Sequence, residues 1–183
     1  MIRIPMNVPN MLTMLRFALV PVTTIFIYFG MMIPALISYI VACGTDLLDG
    51  YIARKYKMIT EEGTLLDPLA DKLMAVFAVI AFTVTGVLPL FVLIIILAKE
   101  CIMIAGGIFL YFRDIVTPSN LFGKGAAFLF NTSIALTFLH RLVSPWHVYV
   151  ICFALALMIA ALAQYTVINL KKMRARNKEA TEE

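Results

Sequence analysis

The stretch Asp46-Leu47-Leu48-Asp49-Gly50-Tyr51-Ile52-Ala53-Arg54, followed by Gly63-Thr64-Leu65-Leu66-Asp67-Pro68-Leu69-Ala70-Asp71, decides how this chain is read. Asp46 and Asp49 are spaced i, i+3 and Asp67 and Asp71 are spaced i, i+4, so each pair shares a helix face. The first pair closes one apolar segment and the second opens the next. At about 1.5 Å per residue, Asp46 lies roughly 13 Å up-chain of Lys55 and Asp71 roughly 12 Å beyond Gly63. Two antiparallel helices would therefore bring the four carboxylates to one depth, inside an apolar bundle.

Working outward, six apolar segments can be drawn, near 11–29, 33–54, 64–86, 88–112, 123–142 and 147–170. The expected fold is all-α: a single polytopic membrane domain over 1–183, with six transmembrane helices and a short N-terminal interfacial segment. Each span needs roughly 20 residues. Gly30 to Pro34, Gly86 to Pro89, and Ser144, Pro145 and Trp146 read as tight turns on one side. Lys55 to Gly63 and Arg113 to Asn120 read as polar connections on the other. Only Arg141 among the basic residues falls on the turn side, so both termini and the polar connections are expected in the cytoplasm. Met1 to Asn10 holds Pro5 and Pro9 and is expected at the interface, with Asn10 as N-cap of a helix from Met11. The tail 176–183 reads as disordered.

Composition agrees. Of 183 residues, 62% are hydrophobic and 14% charged. A soluble domain is about half apolar and a quarter charged. The net charge of +4 is concentrated in Lys171, Lys172, Arg174, Arg176 and Lys178, directly after an apolar segment. That placement suits anionic lipid and points away from nucleic acid. Cys43, Cys101 and Cys152 are dispersed in apolar stretches, which indicates neither a disulfide framework nor a zinc site. Arg16 interrupts the first apolar run, and no small-residue cleavage site follows, so a cleavable signal peptide is not expected.

The acids carry the chemistry. An ionised carboxylate at the bilayer centre costs at least ~2.5 kcal/mol, and four together repel one another. Arg54 and Lys72 are near in sequence, but two side chains are too few to neutralise four close acids. Hard divalent cations with oxygen ligands would do so, and carboxylate pairs on two helices resemble a two-metal geometry for phosphoryl chemistry. Structural ion pairs, or a cation or proton transporter using the acids as a relay, are the alternatives. The clustering of the acids on one side disfavours a relay. Gly50, Ala53 and Gly63 would allow close approach of a helix or a ligand.

The pattern Asp-x2-Asp-Gly-x2-Ala-Arg-x8-Gly-x3-Asp-x3-Asp resembles the signature of the CDP-alcohol phosphotransferase family, and every fixed position from Asp46 to Asp71 matches. The resemblance implies a metal-dependent phosphatidyltransferase with two ions, Mg²⁺ or Mn²⁺, held by Asp46, Asp49, Asp67 and Asp71. It makes Asp71 the catalytic base as well. It assigns Gly50, Ala53, Arg54, Thr60, Gly63, Asn10 and Thr13 to the CDP-lipid. It further implies CDP-diacylglycerol as donor, CMP as product, a small anionic alcohol as acceptor, a homodimer, and residence in the bacterial cytoplasmic membrane.

Asn7-Val8-Pro9-Asn10-Met11-Leu12-Thr13-x2-Arg16 and Leu66-Asp67-Pro68-Leu69-Ala70-Asp71-Lys72-Leu73 are similar to the members that accept glycerol 3-phosphate. Members that accept phosphatidylglycerol, the cardiolipin synthases, share similar stretches and supply the alternative. For an anionic acceptor, Lys99, Arg113 and Lys124 are the candidate contacts, with a purely local Lys99–Glu100 pair as the other reading of Lys99. The glycerophosphate members tend to carry an Arg-Glu pair in span four, where this chain reads Lys99-Glu100, and Gly-Lys-x-Lys-Thr at span five. Here the chain reads Gly123-Lys124-Gly125-Ala126, without the second lysine and the threonine. His140 and His147 are expected away from the acids, and Gly106-Gly107 is a candidate for close helix contact.

Overall fold

A computed structural model describes residues 8–56, 61–111 and 121–182, and their regular structure is entirely helical. The order is α1 (Val8–Tyr28), α2 (Met32–Lys55), α3 (Glu61–Val84), α4 (Leu90–Tyr111), α5 (Leu121–Thr137), α6 (His140–Val143) and α7 (Trp146–Glu182). α1 packs mainly on α2 and α3, and α5 packs on α7, while α3 and α4 link the two groups.

The turns follow from glycine. After α1, Gly30 adopts φ +72°, its N–H bonds to Ile27 O, and the next N–H bonds to Phe26 O. After α3, Gly86 adopts φ +74°, with the same pair of bonds to Thr83 O and Phe82 O. This left-handed termination satisfies the last carbonyls of each helix, and a Cβ at that φ would strain it.

Among the described residues, three helical stretches are long and apolar enough to cross a membrane on those grounds alone: Asn10–Tyr28, Leu90–Leu110 and Trp146–Leu170. α2 has a shorter apolar run, Met32–Asp46, before its acids. The molecule turns polar side chains inward and apolar ones outward. Thr13, Arg16, Thr23, Asp49, Ser133 and Thr137 are buried, whereas Leu121, Leu142, Phe128 and Phe29 are more than two-thirds exposed. A surface of that kind is stable in hydrocarbon, where the interior polar groups must find internal partners. They do. Thr23 and Ser38 share a 2.8 Å hydrogen bond between α1 and α2, and Thr137 donates to Ser133 O at 2.8 Å. Around them lies an apolar core in which Phe82 and Phe138 meet edge to face at 4.9 Å.

Four boundaries differ from the sequence expectations. α1 begins at Val8, so Asn10 is a buried residue of the first turn and not an N-cap. Pro9 is tolerated there because first-turn N–H groups have no helical partner. α3 begins at Glu61, three residues before the apolar run that marked it. The segment drawn as 123–142 is interrupted after Thr137, where His140 Nδ1 lies 3.2 Å from Thr137 O and competes with helix continuation. α7 runs to Glu182 through the tail expected to be disordered. Residues 171–182 contain neither Gly nor Pro and are rich in Lys, Arg, Glu and Ala, all strong helix formers. Gly106 and Gly107 also differ: among the described residues, a Cβ on either would meet nothing within 4 Å, so they mediate no close helix contact there.

Candidate active site

The centre of the site is a side chain from α1. Arg16 is 1% exposed, and its guanidinium reaches across to α2 and α3. Nη1 lies 2.8 Å from Asp46 Oδ1 and 3.3 Å from the backbone oxygen of Asp67. Nη2 donates to Asp49 Oδ2 at 2.5 Å. Thr13, one helical turn before Arg16, donates its hydroxyl to Asp67 Oδ1. Three of the four acids are thereby drawn to one face of α1. Pro68 contributes to this geometry, because it removes the N–H that would pair with Thr64 O and interrupts the α3 ladder beside Asp67.

A planar guanidinium suits this task. It presents parallel donors to carboxylate oxygens and keeps its charge when buried. Breaking such a buried pair by removing one partner typically costs about 3–5 kcal/mol. Asp49 is 2% exposed and depends wholly on Arg16 and its other neighbours, while Asp46 keeps 40% of its side-chain surface open. Arg16 Nε is buried without a hydrogen-bond partner among the described residues, so the guanidinium retains one donor for a further acceptor.

Asp71 stands apart from this cluster, though within electrostatic range of Asp46, Arg16, Glu100 and Lys72. It lines a cavity of about 440 Å³ between α3, α4, α5 and α7. Lys72, Lys99 and Glu100 form the cavity's charged end, with Met103, Phe130, Met158 and Leu162 among its apolar walls. Glu100 Oε1 lies 2.5 Å from Lys99 Nζ, and Oε2 lies 3.2 Å from Lys72 Nζ. Lys99 pairs with Glu100 and also lines the cavity, only 8% exposed.

The remaining candidates sort as follows. Asn10 and Thr13 are buried on α1 near the acids' partner Arg16. Gly50, Ala53 and Arg54 belong to the last turns of α2, and Gly63 to the first turn of α3, but their side-chain surroundings lie outside the described residues. Thr60 and Arg113 lie wholly outside them. Lys124 is exposed on α5 and is not among the cavity-lining residues, although its neighbour Gly123 is.

The side chains that would hold a hard divalent cation here are carboxylates, the oxygen ligands such an ion takes. Among the described residues, no three acidic, His or Cys side chains converge as a ready-made metal cage. Arg16 places a positive charge between Asp46 and Asp49.

A family model described as CDP-alcohol phosphatidyltransferase matches residues 6–169, from α1 to the apolar end of α7. The chain belongs to this family. It is an integral membrane protein, as the outward apolar surface requires. Among curated relatives, a probable phosphatidylglycerophosphate synthase of Mycobacterium tuberculosis is 33% identical over 169 residues, 89% of this chain and 78% of that one. The CDP-diacylglycerol–glycerol-3-phosphate 3-phosphatidyltransferase of Bacillus subtilis is 30% identical over 190 residues, 95% of this chain and 96% of that one. A human CMP-forming cardiolipin synthase is 34% identical over 118 residues, 64% of this chain and 39% of that one.

Within this family frame, sequence reasoning missed two residues. Arg16 enters the sequence reading as a charge that spoils a signal peptide and as the end of the N-terminal motif, yet an arginine in the middle of an apolar span is itself a signal that a partner waits inside the bundle. Glu100 was treated as the neighbour of Lys99, and its bond to Lys72 across α3 and α4 has no sequence signature.

Proposed function

We propose that this chain transfers the phosphatidyl group of CDP-diacylglycerol to the hydroxyl of glycerol 3-phosphate and releases CMP. The observation that carries the reading is the convergence of Asp46, Asp49 and Asp67 on Arg16, next to a cavity that opens on Asp71 and holds Lys72 and Lys99. Relatives matched over most of their length bear names for this reaction, which supports glycerol 3-phosphate ahead of phosphatidylglycerol.

In this reading Asp46, Asp49, Asp67 and Asp71 hold Mg²⁺ or Mn²⁺, two ions by resemblance, and Asn10, Thr13, Gly50, Ala53, Arg54, Thr60 and Gly63 surround the CDP-lipid. The bound metal would supply electrostatic stabilisation of the pyrophosphate and of the charge that develops in an in-line displacement. Arg16 orients Asp46 and Asp49, and Thr13 orients Asp67. Lys99 and Lys72, with Arg113 and Lys124, attract the acceptor's phosphate. Asp71 takes the proton of the attacking hydroxyl. The hydroxyl oxygen bonds to the lipid-side phosphorus, the bond from that phosphorus to the bridging oxygen breaks, and CMP carries the electron pair away.

The topology that goes with this is six spans, formed by α1 to α5 and α7, with the acids and both termini on the cytoplasmic side and two copies forming a homodimer. Purified protein supplied with CDP-diacylglycerol and Mg²⁺ or Mn²⁺ should release CMP when glycerol 3-phosphate is added. CMP release with phosphatidylglycerol and none with glycerol 3-phosphate would replace the acceptor. Ion flux in liposomes, with no nucleotide turnover, would replace the reaction class with a transporter.

A further inference from the structure

The charged end of the cavity contains more than a basic pocket for an anion requires. Two ammonium groups from different helices, Lys72 on α3 and Lys99 on α4, share the two oxygens of one carboxylate, Glu100, at 3.2 Å and 2.5 Å. A buried ammonium beside apolar walls is costly unless it is paired. Without Glu100, the buried Lys99 and the partly exposed Lys72 would both lose this carboxylate partner. A phosphate monoester offers the same thing that Glu100 offers: several anionic oxygens able to accept from two ammonium groups at once.

We propose that Glu100 is an internal stand-in for the phosphate of the acceptor, holding Lys72 and Lys99 in place until a phosphate-bearing alcohol displaces it. The proposal rests on the reading of this cavity as the acceptor site. Lys72 is the arm that the acceptor takes. Its contact is the longer of the two and it is the more exposed lysine, whereas Lys99 adjoins Glu100 in the chain and is buried. Lys72 also directly follows Asp71, so an acceptor phosphate held there keeps its hydroxyl near the base. Selectivity follows from the exchange. An acceptor without an anionic group cannot replace the carboxylate, and Glu100 then sets the concentration at which one that has it will bind.

The rival explanation is that Glu100 merely ties α3 to α4, and the two make opposite predictions for Glu100→Gln, which keeps shape and removes charge. Initial rates should be measured against glycerol 3-phosphate at saturating CDP-diacylglycerol. Glu100→Gln should lower the acceptor KM roughly 3- to 10-fold, Lys72→Met should raise it about tenfold or more, and the donor KM should move less than about twofold, since one charge-assisted contact is exchanged. In parallel, inorganic phosphate should be titrated by thermal shift on the detergent-solubilised full chain without donor, where Glu100→Gln should reach its midpoint at lower phosphate than the unaltered chain. An acceptor KM and a phosphate midpoint equal to or above those of the unaltered chain would overturn the proposal. If the unaltered chain turns over no glycerol 3-phosphate while Glu100→Gln still binds phosphate more tightly, the reaction reading fails and the stand-in remains.

Discussion

The two charged regions of this bundle are mirror images in sign. On one side, carboxylates from α2 and α3 close on a cation from α1, with Arg16 against Asp46 and Asp49. On the other, ammonium groups from α3 and α4 close on an anion, with Lys72 and Lys99 against Glu100. The first region is the more rigid. Its counter-ion is buried and fixed by three oxygens on two helices. The second is looser, with a partly exposed Lys72 and an open cavity beside it. A low-dielectric interior tolerates like charges only around a counter-charge. The difference between the regions is then one of use: the acids are kept assembled, and the lysines are kept exchangeable.

The most severe way to break the comparison is at the residue between the two regions. Asp71→Asn should lower CMP release by about 10²–10⁴-fold, the usual range for removing a general base, with the detergent-solubilised protein still folded by circular dichroism. A loss below tenfold would move the base elsewhere. Next is Arg16→Met. It leaves Asp49 buried without its cation and should lower unfolding stability in chelator by about 3–5 kcal/mol, read by thermal denaturation. Arg16→Lys should recover part of that loss, and added Mn²⁺ should narrow the gap between Arg16→Met and the unaltered chain. An equal melting temperature in chelator would show that Arg16 is not what holds the acids.

The lysine region should respond more mildly in stability and more visibly in binding. Lys99→Met should change the melting temperature by less than Arg16→Met does, because Lys72 still pairs with Glu100. Thr13→Val gives the smallest effect expected. It removes one interhelical hydrogen bond to Asp67, worth roughly 0.6–2 kcal/mol inside a membrane bundle, and should raise the donor KM a few-fold while leaving the acceptor KM near its starting value. If Thr13→Val affected the acceptor instead, the division into donor and acceptor regions would not stand.

The acids illustrate how much of this was legible in the chain. Their i, i+3 and i, i+4 spacing, the apolar segments on either side, and the match of eight fixed residues were enough to name the family. The turns at Gly30 and Gly86 were legible for the same local reason. The start of α1 and the helical tail were misread because Pro9 and the charged residues near the C terminus look like breakers or linkers by composition, whereas first-turn geometry and helix propensity favour helix.

What the sequence determined by itself was local and periodic: an all-helical chain, apolar on the outside, with two acid pairs each on one helix face. Helix geometry repeats every 3.6 residues, so spacing alone settles which side chains share a face. What only the tertiary structure decided was which opposite charge answers each cluster. Arg16 lies 30 residues before Asp46, and Glu100 lies 28 after Lys72. No period links such positions. They meet because buried charge must be paired, and the packing of α1 on α2 and α3, and of α3 on α4, determines with whom.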